Sequence, residues 1–191
     1  MAFSIPSYLR ETSDTLAQMA GQTASLDLVV QKLCDALRKK KKLVIFGNGG
    51  SAADAQHFAA ELVGRFEKER PALPAIALTT NTSNLTAIGN DYGYDQVFAR
   101  QVQALVQEGD VVVGISTSGN SKSVLEGIEA AKRLKVWTVG FTGATGGKLK
   151  AAVDCCVCVP SQRTAHIQEC HIAMIHAVCA CVDEAFLPAS V

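Results

Sequence analysis

Val44-Ile45-Phe46-Gly47-Asn48-Gly49-Gly50-Ser51 is an apolar run that stops in a glycine turn and passes straight into Ala52-Ala53-Asp54-Ala55-Gln56-His57. A β-branched run, then glycines, then a hydroxyl at a helix start is the pattern of a strand, turn and helix that holds a phosphate or another anion. From Lys42 onward the same succession of short apolar run and helical segment recurs. Leu43–Phe46, Ala75–Leu78, Val111–Ile115, Val136–Phe141 and Cys155–Val159 read as strands with helices between them. That alternation predicts a parallel sheet covered on both faces. Val111-Val112-Val113-Gly114-Ile115 is apolar nearly throughout, as a strand buried on both sides requires.

Ahead of this core, two helices are expected, over Ile5 to about Gln22 and over Leu26 to Lys40. Ser25 is the candidate N-cap of the second, with Asp27 in its first turn. Arg38-Lys39-Lys40-Lys41-Lys42 ends that helix, where cations complement the dipole; the run is too short and isolated for a nucleic-acid patch. Thr164 to Phe186 reads as a last long helix with an apolar stripe of Ile167, Ile172, Met174, Ile175 and Val178. No linker, repeat or low-complexity stretch divides the 191 residues. The expectation is one domain over 1–191, with N-terminal helices over 1–41 and an α/β core with the C-terminal helix over 42–191. Its fold class is a three-layer α/β sandwich, flavodoxin-like, around a five-stranded parallel sheet. Ligands in such sheets sit at the carboxyl ends of the strands, where strand order reverses.

Eighteen basic and eighteen acidic residues cancel, so no global field concentrates nucleic acid or an anionic membrane, and neither is expected as a partner. Hydrophobic residues at 48% and charged residues at 19% exclude a disordered chain. No apolar run reaches the ~18 residues of a bilayer span, so the chain is expected to be soluble. Met1 to Tyr8 reads as neither a signal peptide nor an Arg-rich transit segment, so the chain is expected in the cytoplasm. The seven cysteines, Cys34, Cys155, Cys156, Cys158, Cys170, Cys179 and Cys181, are odd in number, and four lie in apolar runs, so core packing is preferred to disulfides or metal.

Two turns occupy strand ends. Ser116-Thr117-Ser118-Gly119-Asn120-Ser121 offers four hydroxyls within six positions ahead of the helical run Val124-Leu125-Glu126-Gly127-Ile128. A capping turn uses one or two hydroxyls; four, with free backbone N–H groups, suit a phosphate monoester. Asn48-Gly49-Gly50-Ser51 is neither the dinucleotide fingerprint nor a nucleotide-triphosphate loop, so no nucleotide cofactor is implied. Its glycines permit close backbone approach, and Asn48 presents amide groups to hydroxyls. His57 and Glu61, four apart, share a helix face. An isolated His-x-x-x-Glu is usually a surface hydrogen-bonded pair, but this one begins about two turns past a ligand loop and is a candidate for metal binding or proton transfer. His166, His171 and His176 lie on the last helix with Gln168 and Glu169; Glu169 and His171 are equally readable as structural or catalytic. Asn90 and Asp91, in a turn-forming cluster after a short helix, either close that turn or bind sugar hydroxyls.

Phe46–Ser51, His57-Phe58-Ala59-Ala60-Glu61, Gly89-Asn90-Asp91-Tyr92-Gly93, Gly114–Ser121 and Ile167-Gln168-Glu169 with His171 and His176 occur in order. Together, from about Lys41 to Phe186, they resemble the phosphoheptose isomerase family of sugar-isomerase (SIS) domain proteins. The resemblance implies conversion of D-sedoheptulose 7-phosphate to D-glycero-D-manno-heptose 7-phosphate, the first step toward the heptose of bacterial surface glycans. It also implies a homotetramer with zinc, one ion per subunit. Carried over by position, Asn48, Gly49, Gly50, Ser51, Glu61, Asn90, Asp91, Ser116, Thr117, Ser118, Ser121 and Gln168 contact the substrate. Glu61 and His176 form the catalytic pair, and His57, Glu61, Gln168 and His176 are the metal ligands. One position departs from the family: just before Ile167-Gln168-Glu169, where some members carry an acid, this chain has Ala165-His166.

An aldose–ketose isomerase moves a proton between two adjacent carbons through an enediol, so it needs a base and an acid facing both carbons. Glu61 is the expected base and His176 the expected acid. Gln168 and His176 are about 12 Å apart along a regular helix, too far to meet at one ion unaided. The expected resolution is a site at a subunit interface, the last helix of one chain approaching the His57–Glu61 helix of another. Two rival readings remain. One is a non-catalytic relative that associates with the replication initiator DnaA, similar in Ser51–Ala53, Ala55–Ala60 and Glu69–Leu78 but without the acid and histidine kept here as Glu61 and His176. The other is a sugar-phosphate sensor, for which no stretch is left to form a DNA-binding domain.

Overall fold

The computed structural model describes residues 4–188; Met1 to Phe3, part of the stretch read as free of a leader, lie outside the described residues. The chain runs α1 (Ile5–Ala20), α2 (Ala24–Arg38), β1 (Leu43–Gly47), α3 (Gly50–Val63), β2 (Ala75–Ala77), α4 (Thr82–Tyr92), a 3-10 turn (Tyr94–Gln96) and α5 (Ala99–Leu105). It continues through β3 (Val111–Ile115), α6 (Lys122–Arg133), β4 (Trp137–Thr142), α7 (Leu149–Ala152), β5 (Cys155–Cys158) and α8 (Thr164–Ala185). The strands form one five-stranded sheet in the order β2-β1-β3-β4-β5, every pairing parallel. Strand order reverses between β1 and β3, where Phe46 pairs with Gly114 and Gly47 with Ile115.

Alternation within β1 sorts the layers. Leu43 and Ile45 enter a core with Phe58 and Leu62 of α3, Val29 and Leu33 of α2, and Met174, Ile175 and Val178 of α8. Val44 and Phe46 enter a second core with Val102 of α5, Val124 and Ile128 of α6, and Leu149 of α7. Burial on both faces is why β1 and β3 read as unbroken apolar runs. α8 has the length and mean hydropathy (1.2) of a bilayer span, but half of it is buried inside the domain. His166, His171 and Asp183 lie among its buried residues, as suits a core helix with internal polar partners.

Three local expectations are corrected. α2 begins at Ala24 with helical Thr23 before it, so Ser25 lies inside the helix and caps nothing, although Asp27 does fall in the first turn. Asn90 and Asp91 belong to the last turn of α4, because that helix continues to Tyr92 and stops at Gly93, whose φ is +82°. β4 runs one residue later than expected, Trp137–Thr142. The cysteines are all free, with Cys34, Cys155, Cys170 and Cys179 buried and Cys181 exposed.

Glu169 and His171 both have internal hydrogen-bond partners. Glu169 accepts hydrogen bonds from Tyr8 Oη, from Thr12 Oγ1 (2.7 Å) and from His166 Nδ1 (3.0 Å), tying α1 to α8. Burial alone would raise its pKa, but these bonds outweigh burial and hold it below the usual range. His171 is fully buried with Nε2 3.3 Å from the Thr142 carbonyl. Burial lowers its pKa to about 4 against the weaker opposing pull of that carbonyl. Between the ordinary histidine value of about 6.5 and pH 4 the unfolded chain therefore holds a proton that the folded chain does not, and stability falls as pH drops. Asp54, raised to about 6 by burial, acts in the opposite sense over a similar range. Urea titrations of the wild type and His171→Gln at pH 7 and 4.5 isolate the histidine. The wild type is expected to lose about 2–3 kcal/mol more than the variant over that interval.

Candidate active site

The turn after β1 forms one wall of a cleft at the strand-order reversal. Gly49 precedes α3 with φ +56° and ψ −123°, a conformation suited to glycine. At Gly50 a Cβ would stand 2.8 Å from Cδ of Gln168, so α8 of this same chain rests on the first turn of α3. Ser51 is buried beneath that contact.

The turn after β3 forms the facing wall. It closes on itself through Gly119 N–H to the Ser116 carbonyl (2.9 Å) and is braced by Asn120 N–H to Ser118 Oγ (3.2 Å). Ser121 stands at the N-cap of α6, yet its side chain makes no capping bond. Instead Asn48 Nδ2 donates to Ser121 Oγ (2.9 Å) and Ser123 Oγ (3.0 Å), and Tyr94 Oη donates to Asn48 Oδ1 (2.8 Å). The cleft between the walls has a volume of ≈ 160 Å³ and is lined by Asn48, Ser51, Ser116, Thr117, Ser118 and Ser121, with Gln168 closing one side. Hydroxyls and amides at the starts of α3 and α6 offer neutral donors together with the positive ends of two helices, a setting for an anion. Tyr94 and Ser123 were missed in the sequence. Ser123 is foreshadowed by the serine-rich turn, whereas nothing local to Tyr94 points to Asn48.

A second cluster lies farther along α3. His57 Nε2 and Glu61 Oε1 are 2.8 Å apart, and the His57 ring centroid is 5.0 Å from that of His176 on α8. Phe66 stacks on the other side of His176 at 5.2 Å. Because Gly50 meets Gln168 and His57 meets His176, α3 and α8 run side by side in the same direction. The His57–His176 contact needs no second chain: α8 of the same chain brings His176 to His57. Gln168, eight residues earlier on the unbroken α8, stays at the cleft. Asn90 and Asp91 are exposed and joined to each other, Nδ2 to Oδ1 at 2.9 Å, and do not line the cleft.

Two imidazoles and a carboxylate are the donor types of a zinc site that keeps a position open. His57, Glu61 and His176 fit such an ion in donor type and neighbourhood. Among the described residues no group of three His, Cys, Asp or Glu stands close enough to enclose one outright.

A parallel α/β sheet with a hydroxyl-lined cleft at its switch point and a histidine–carboxylate cluster farther along the same helix is an arrangement suited to a sugar phosphate. In agreement, residues 7–143 match the SIS domain. The chain is 54% identical to the phosphoheptose isomerase of Campylobacter concisus over 182 residues, 95% of this chain and 96% of that one. It is 60% identical to a probable phosphoheptose isomerase of Thermoplasma acidophilum over 158 residues, 83% and 87% of the two chains. The solved phosphoheptose isomerase of Neisseria gonorrhoeae superposes with a TM-score of 0.89 at 44% identity, covering 94% of this chain and 97% of that one. This chain belongs to the phosphoheptose isomerase family of SIS domain proteins.

Proposed function

We propose that this chain is an aldose–ketose isomerase that converts D-sedoheptulose 7-phosphate to D-glycero-D-manno-heptose 7-phosphate in the cytoplasm, supplying heptose for surface glycans. The observation that carries the reading is the pairing of a hydroxyl-lined cleft with a His57–Glu61–His176 cluster along one helix seam. Ser116, Thr117, Ser118 and Ser121 bind the phosphate, and Asn48, Gly49, Gly50, Ser51 and Gln168 bind the sugar. Asn90 and Asp91 reach hydroxyls outside the cleft. Glu61 withdraws the proton from the carbon next to the carbonyl while His176 gives a proton to the carbonyl oxygen, forming an enediol; His176 then takes the proton of the neighbouring hydroxyl as Glu61 returns its proton to the former carbonyl carbon, leaving the isomeric sugar. His57 Nε2, 2.8 Å from Glu61 Oε1, orients that carboxylate.

His57, Glu61 and His176 would hold zinc, one per subunit, and the bound ion would polarise the substrate carbonyl. Gln168, expected as a fourth ligand, lines the sugar cleft. The working assembly is a homotetramer with active sites at its subunit interfaces, a reading supported by the exposed Ile5, Leu9, Val63, Tyr92 and Tyr94. The test is incubation of the pure protein with sedoheptulose 7-phosphate, followed by NMR with and without chelator. Appearance of the aldose signal is expected, with loss on chelation and recovery on adding zinc. No aldose in the zinc-supplemented sample refutes the assignment.

A further inference from the structure

A dense polar cluster lies buried where α3 ends. Arg70 and Asp183 form an ion pair, Nε to Oδ1 at 2.8 Å, with side chains 0% and 1% exposed. Arg70 Nη2 donates to the carbonyl of Glu61 at 2.7 Å, and Nη1 donates to the carbonyls of Leu62 (2.8 Å) and Pro71 (3.0 Å). Glu61 and Leu62 are among the last residues of α3, whose carbonyls lack partners within the helix. Asp183 also accepts the backbone N–H groups of Glu67 (2.8 Å) and Lys68 (2.9 Å). Burial alone would raise the Asp183 pKa; the N–H groups of Lys68 and Glu67 and the Arg70 guanidinium outweigh it and hold the carboxyl below its usual range. On α8, Asp183 stands seven residues after His176, two turns along the same face. One guanidinium thus joins the turn that carries Glu61 to the helix that carries His176.

We propose that Arg70 and Asp183 are positioning residues for the isomerisation: the pair sets Glu61 against His176 by gripping the α3 backbone, without touching the sugar. The inference rests on the function proposed above and on Glu61 and His176 as its proton-transfer pair. Stability alone does not require such a pair, since apolar side chains of similar volume often replace a buried ion pair without loss. What they cannot supply is a planar fork that fixes adjacent carbonyls, and neither can the point charge of a lysine. The phosphate-binding serines lie near Ser51, ten residues from Glu61 and about 15 Å away along α3. Loosening the clamp therefore disturbs proton transfer and leaves phosphate binding in place.

Full-length Arg70→Lys, Asp183→Asn and Glu61→Gln are compared with the wild type using sedoheptulose 7-phosphate and zinc, kcat being expressed per folded protein from near-UV circular dichroism. Arg70→Lys is expected to lower kcat at least tenfold with KM within twofold; Asp183→Asn, which keeps its shape, shows the same split if Arg70→Lys does not fold. A kcat within twofold of wild type, a KM that rises with the fall in kcat, or failure of both variants to fold makes the pair merely structural and overturns the proposal. Turnover retained by Glu61→Gln overturns it through its premise, an outcome distinguished by that variant alone.

Discussion

Replacing Glu61 with Gln is expected to lower kcat on the order of 10³-fold while KM for the sugar phosphate stays within a few-fold. The amide keeps the shape of the carboxylate and a hydrogen bond to His57 but cannot accept a carbon-bound proton. KM is spared because the phosphate is held by hydroxyls on the β3–α6 turn and by helix N-termini, none of which contacts Glu61. Steady-state kinetics with zinc present reads both quantities. A kcat within tenfold of the wild type would remove Glu61 from the role of base.

Gly119→Ala is expected to destabilise the fold by about 3 kcal/mol or more, roughly 6–12 °C in melting temperature for a chain of this size. Gly119 has φ +65°, and its added Cβ would stand 2.5 Å from the carbonyl carbon of Gly146 and 2.9 Å from the nitrogen of Gly147. Both obstacles are backbone, so no rotamer relieves them. The turn also docks through the Gly119 carbonyl, which accepts the Leu149 N–H at 2.9 Å. Displacing it moves Ser118 and Ser121, and KM is expected to rise about tenfold alongside the drop in melting temperature. An unchanged melting temperature would contradict the close approach of the two loops.

The layers were legible in the sequence because β1 and β3 bury both faces, and continuous apolar runs such as Leu43–Phe46 have no other use in a chain of this kind. Element ends were less legible. Ser25 has the hydroxyl of a cap, but the helix begins at Ala24 and the backbone passes helically through Thr23, so Ser25 lies inside it. At the site, spacing disclosed what lies on one element: His57 with Glu61, and the hydroxyls of Ser116 to Ser121. Contacts between distant segments left no local mark. Tyr94 reaching Asn48, Arg70 reaching Asp183 and α8 lying parallel to α3 of its own chain are set by tertiary packing. The last of these changes the reading of Gln168 and His176: their separation on one straight helix does not have to be closed, because each meets a different turn of α3.

That parallel seam acts as a ruler. With the phosphate seated among the serines near Ser51, the rigid α3 fixes how far away Glu61 and His57 wait. A sugar chain must be long enough to carry its carbonyl across that interval. Shorter ketose phosphates, anchored at the same end, present their carbonyl before the reach of the base. Under the proposed function, the number of helical turns between the two clusters sets a minimum length for the sugar chain.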